Sequence, residues 1–149
     1  MVGSRRSRTR GRPPLWIVEP VPVPALAFWK HQGGHFDYGR ADQTSCFPML
    51  DTGTASRPHL LWPLALYPVS GTAEVVFQYL KDRSPFDDTE VRRELLRRLN
   101  EIDGIVLAEA KLELRPSFPL QVFAGHVEEI CAVLEWFAHT AALEFAQRA

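Results

Sequence analysis

The chain has few of the residues and patterns that usually announce a chemistry. Nowhere in its 149 residues is there a glycine-rich phosphate loop, a nucleophile elbow or a closely spaced cysteine pair. Those motifs are the common sequence marks of nucleotide binding, serine hydrolysis and structural zinc. Cysteine occurs only as Cys46 and Cys131, far apart and without metal or redox spacing. With no secretion signal they read as free thiols in a reducing compartment, so a cytoplasmic protein is expected. No apolar run approaches the roughly 20 residues of a bilayer-spanning helix, and none follows the N-terminus as a signal-peptide core. A membrane partner is therefore not expected, and no residue set calls for a cofactor.

What is present is ordinary globular material. The hydrophobic fraction is 46%, and a single domain of this length buries roughly 70% of its unfolded surface. The net charge of -1 hides an asymmetry, because residues 1–12 hold Arg5, Arg6, Arg8, Arg10 and Arg12 and no acid. The rest of the chain then sums to -6, too acidic for a broad nucleic-acid face on the folded body. Residues 1–25, basic and then proline-studded, read as a disordered or extended tail, with 26–149 as one folded domain. The tail is the one place for a phosphate contact; if all five arginines engaged, log affinity would fall against log salt with a slope of about −4.5.

Residues 73–104 organise the rest. Ala73–Leu80 alternates at period two and predicts a strand. Pro85 breaks the pattern. Asp87, with Glu90 three residues on, predicts an N-cap and capping box, and Phe86 with Val91 a hydrophobic staple. Val91, Leu95, Leu96, Leu99 and Ile102 form one helical stripe, and Gly104 stands as its stop. Upstream, 35–39, 44–51 and 60–67 predict strands joined by short spacers, which forces antiparallel pairing. Ser70-Gly71 predicts a close hairpin connection. Downstream, 105–107 and 111–114 suggest a further short strand pair, 115–120 an extended segment, and 127–145 a closing helix. The expected fold is α+β: a mostly antiparallel β-meander sheet with two helices packed on one face.

Several constellations deserve a chemical reading. Met49-Leu50-Asp51-Thr52-Gly53-Thr54 resembles the active-site turn of aspartic proteases, whose two aspartates share a proton and whose frame is all-β. Two helices in the second half depart from that frame, and Asp-Thr-Gly is also a good turn after a strand. Asp51 and Glu74 are weak candidates for a metal-dependent hydrolase or nuclease, although Glu74 is followed at two residues by Val76 where a lysine is wanted. His31, His35, His59 and Cys46 invite a metal, but Gly33-Gly34 breaks the helical spacing of the first pair, so no metal is expected. Arg92, Arg93, Arg97 and Arg98 look like a phosphate-binding stripe; Glu90, Glu94 and Glu101 lie at the spacing that neutralises it.

The runs EVVFQYLKDRSPFDDTEVRRELLRRLNEIDGI, LRPSFPL and VLEWF, preceded by Trp29, Gly33-Gly34 and Phe47-Pro48, resemble a family of small uncharacterised bacterial domains. The likeness covers roughly residues 28–140 and leaves the tail outside. It implies a compact α+β domain without an assigned activity, found alone or beside nucleic-acid-processing modules. Within it, Phe86, Asp87, Asp88 and Arg115 are candidate binding residues, a carboxylate from the loop pairing with the guanidinium beside the sheet. The expectation is a non-catalytic interaction or accessory module in a nucleic-acid-processing or defence setting. Its partner is another protein, nucleic acid through the tail, or a second copy through Leu143 and Phe145. The alternatives are the Asp51/Glu74 hydrolase and, remotely, the aspartic protease.

Overall fold

A computed structural model describes residues 29, 34–38, 46–53, 56 and 59–148. The arginine tail, the proline-rich stretch after it and His31 lie outside the described residues. The first strands are β1 (His35–Tyr38), β2 (Cys46–Asp51), β3 (Leu60–Leu61), β4 (Leu64–Tyr67) and β5 (Thr72–Val75). There follow a helical turn α1 (Phe77–Leu80), helix α2 (Thr89–Asn100), a 3-10 turn at Glu109–Lys111 and strand β6 (Ser117–Pro119). A short helix α3 (Gln121–Gly125) and the long α4 (Val127–Arg148) close the chain. Neighbouring strands run in the order β1-β2-β4-β5-β6, with β3 pairing β2 off that path. Every pairing is antiparallel, so the α+β meander expected from the short spacers is the fold.

Residues opposite each other in an antiparallel ladder point to the same face. Leu64 with Val75, and Leu66 with Ala73 and Phe118, therefore share one face. All five are buried in the main core. Both long helices pack there: Leu95 and Leu99 of α2 meet Ile130, Val133 and Leu134 of α4 over Pro63 and Leu64. The other face carries Tyr67, Thr72, Glu74, Ser117 and Pro119. It is polar and partly open, although Ala65 and Met49 are buried on it. Trp29, fully buried, donates its indole N–H to the Met49 carbonyl at 3.2 Å. A side chain on Gly34 would stand 2.4 Å from the Trp29 ring, so the backbone there must be bare.

Four local expectations are corrected. The strand expected over 73–80 stops at Val75: Val76 leaves the extended region (φ -90, ψ 55), and 77–80 close a helical turn instead. Val76, Phe77 and Leu80 satisfy the core from that turn as well as an alternating strand would. The N-cap of α2 is Asp88, not Asp87; its carboxylate accepts from the Glu90 amide at 2.9 Å. Glu90 thus stands too early for a capping box and pairs with Arg93. With the cap at Asp88, Phe86 no longer stands at the staple position before it; its ring stacks on Phe137 of α4, centroids 4.5 Å apart. Finally, 105–107 and 111–114 form no strand pair. Asn100 holds Leu107 by both its backbone groups instead, accepting from the amide at 2.7 Å and donating to the carbonyl at 2.9 Å. Gly104 does take a left-handed φ of +97, in the turn after α2 and not at its cap.

The hairpin between β4 and β5 is as expected. Gly71, φ +74, donates its amide to Tyr67 and turns the chain. The stripe of α2 is buried at Leu95, Leu96, Leu99 and Ile102.

Candidate binding cleft

Where the loop after α1 meets β3, a cleft of about 550 Å³ opens between His59, Leu60, Tyr79, Asp82 and Arg83. The failure of the strand at Val76 creates it. The helical turn 77–80 and the turn that follows it, closed by the Arg83 amide on the Leu80 carbonyl, bring Arg83 back over Tyr79. The Arg83 guanidinium carbon lies 3.6 Å from the Tyr79 ring centroid. Trp62 stacks on the same ring with centroids 3.8 Å apart and planes at 25°. Two groups that close cannot share one face, so Tyr79 is sandwiched between them.

Backbone carbonyls fix the rest. The Tyr79 hydroxyl donates to Leu60 at 2.6 Å, and Arg83 Nη1 donates to the Tyr79 carbonyl at 3.1 Å. Burial pushes the Tyr79 phenol above its ordinary value of 10.0, with the nearby Arg83 charge opposing. His59 Nε2 lies 2.8 Å from the Ser84 carbonyl. A carbonyl only accepts, so that nitrogen carries the proton and Nδ1 of the neutral ring is left as an acceptor.

The residues singled out from the sequence are scattered around this cleft. Asp51 closes the base of the 52–59 loop, accepting from the amides of Gly53 and His59, both at 2.9 Å. The protease-like Asp-Thr-Gly is thus a turn that positions His59 at the cleft. Glu74 lies on the open sheet face, held by Arg115 Nε at 2.9 Å, and Arg115 Nη2 donates to the Tyr67 hydroxyl at 3.2 Å. By register, Asp51 and Glu74 stand four residues along the sheet and two strands apart, about 15 Å from strand rise and spacing. They share no site. Among the described residues no group of three His, Cys, Asp or Glu could hold a metal ion.

The expected pairing of the 85–88 loop with Arg115 is also corrected. Arg115 belongs to Glu74, and the loop is held by Arg92. That side chain, 3% exposed, donates from Nη1 to the Phe86 and Asp87 carbonyls at 2.8 and 3.1 Å. Its Nε reaches the Leu112 carbonyl at 2.9 Å. Arg92 therefore leaves the expected basic stripe altogether. The remaining arginines of the stripe are neutralised: Arg93 by Glu90 and Glu109, Arg97 by Glu94 and Glu101, Arg98 by Glu94. Phe86 is buried in the core, and one carboxylate oxygen of Asp88 caps α2. Cys131 is partly buried, and desolvation raises its thiol above the ordinary value of 9.0, away from reactivity. Leu143 is exposed, while the Phe145 side chain lies outside the described residues.

Comparison with protein-family models, with curated proteins and with solved structures finds no match in any of the three. No described helix is long and apolar enough to cross a membrane.

In the sequence His59 stands out only as a metal candidate, Tyr79 only as part of the expected strand, and Asp82 and Arg83 only as the break after it. Nothing in the local pattern marks the Tyr79–Arg83 contact, since the helical turn ends at Leu80 and Arg83 lies in the turn after it.

Proposed function

We propose that the chain is a non-catalytic interaction module whose contact surface is the cleft at His59, Leu60, Tyr79, Asp82 and Arg83. The observation that carries this reading is the commitment of both proton-bearing aromatic groups to backbone. The Tyr79 hydroxyl is spent on Leu60 and the His59 N–H on Ser84. Groups fixed this way suit a preorganised surface that loses little entropy on binding. The family resemblance, which implies a domain without an assigned activity, found alone or beside nucleic-acid-processing modules, is compatible with this reading. The Trp62–Tyr79–Arg83 stack supplies the rigid aromatic and arginine character that dominates contact surfaces.

A fragment screen read by amide and side-chain NMR shifts tests the location. Bound fragments should move the resonances of Leu60, Tyr79, Asp82 and Arg83 together. Fragments that bind only on the Glu74–Arg115 face, or nowhere on the domain, would overturn it.

A further inference from the structure

Resting on that reading of the cleft, we infer that its ligand is an N-acylated amino-acid carboxylate with an apolar side chain, the chemistry of a peptide C-terminus. Arg83 is the deciding group. Stacked on Tyr79 and tied down by Nη1, it keeps Nε and Nη2, the two donors of one guanidinium edge, without a protein partner among the described residues. That edge is the one that takes a carboxylate through two parallel hydrogen bonds. No carboxylate of the described residues forms an ion pair with Arg83, whereas Arg93, Arg97, Arg98 and Arg115 each have one. A fixed, unpaired guanidinium in a concave site is a recognition group, not a solubilising one.

Two neighbours narrow the anion. Asp82 lines the same cleft and is exposed. Its charge disfavours a phosphate dianion more than a single carboxylate, because the repulsion scales with the ligand's charge. Leu60, 38% exposed, offers an apolar contact beside the guanidinium. His59 Nδ1 is an open acceptor, the complement of an amide N–H. Carboxylate, apolar side chain and amide N–H are the three groups of a chain-terminal residue, and Arg83, Leu60 and His59 complement them one for one.

The test titrates the isotopically labelled full chain with three probes: a hexapeptide ending in leucine with a free carboxylate, the same peptide as its C-terminal amide, and N-acetyl-leucine. The free acid should move Leu60, Tyr79 and Arg83 resonances, and the amide should bind at least about tenfold more weakly. Arg83→Gln should bring the acid down to the level of the amide. Asp82→Asn, at an exposed position where folding is not at stake, should tighten the acid by about twofold and leave the amide unchanged. N-acetyl-leucine binding as well as the peptide would identify a small-molecule source; much weaker binding would identify a protein terminus. Equal binding of acid and amide, acid binding retained in a folded Arg83→Gln chain, or no binding of any probe overturns the carboxylate assignment. The interaction-module reading survives those outcomes as long as fragments still bind at the cleft, so the two failures are distinguishable.

Discussion

Arg92 Nε donates to the carbonyl of Leu112 at 2.9 Å, tying the first turn of α2 to a segment twenty residues later. The same guanidinium holds Phe86 and Asp87 by their carbonyls, so one buried side chain fastens three carbonyls in two stretches of irregular backbone. Its neighbours on the helix do nothing comparable.

That contrast makes the first prediction. Arg92→Ala strands three carbonyls and opens a cavity, and should cost about 3 kcal/mol. Arg92→Lys cannot reach the carbonyls on both sides and should recover only part of this. Arg93→Ala, on the solvent side of the helix, should leave the unfolding midpoint in place. Urea unfolding of the three variants checks the order. Equal midpoints for Arg92→Ala and Arg93→Ala would remove the clamp.

The two aspartates before α2 separate by role. Asp88→Ala removes the accepting carboxylate at the helix N-terminus and should cost about 1 kcal/mol. Asp87→Ala should be neutral, since only its backbone carbonyl is used. Thermal melts of both decide it, and a larger loss at Asp87 would restore the capping box.

Gly34→Ala should destabilise by about 2 kcal/mol, within the range for overpacking a fixed aromatic. Neither glycine flexibility nor turn geometry is involved; the Trp29 ring simply occupies the space. A Trp29→Phe background should soften the effect, and calorimetry of the double variant measures that relief.

The Tyr79 phenol titrates above its usual value because burial penalises the phenolate. A folded-state pKa raised above the unfolded one gives stability that is complete below the unfolded value, near 10.0, and drains away as pH climbs through the folded one. Stability should therefore fall on the alkaline side, and Tyr79→Phe should flatten that part of the profile. Denaturant midpoints taken from neutral to alkaline pH, alongside phenolate absorbance, provide the check.

Much of the architecture was legible from residue pattern alone. The α2 stripe, the Ser70-Gly71 hairpin, the antiparallel meander and the closing helix rest on long periodic runs or on turn residues with one good conformation. The failures fall where a short run fits two periods. Val75, Phe77 and Tyr79 alternate, yet Val76, Phe77 and Leu80 also lie on one side of a helical turn. Only the partners at Pro63, Leu114 and Pro116, which take the amides of Val76, Gln78 and Val75, decide between them. The helix starts one residue later than expected, capped by Asp88, with the Phe86 and Asp87 carbonyls taken by Arg92, which local spacing cannot reveal as buried. The arginines with carboxylates at helical spacing were read correctly as neutralised. Arg83, whose contact is an aromatic ring and not the Asp87 carboxylate four residues on, is the informative one, and that ring becomes visible only in three dimensions.

The reciprocal bonds between Asn100 and Leu107 have a chemical consequence. A carboxamide carries a separate N–H donor and C=O acceptor on one carbon, as a peptide group does, so it can mimic the edge of a neighbouring strand. Hydrolysis of that amide to a carboxylate would keep the acceptor and turn the donor into a charge facing the Leu107 carbonyl. That single exchange of amide for carboxylate would therefore loosen the turn after α2 while leaving the rest of the chain covalently intact.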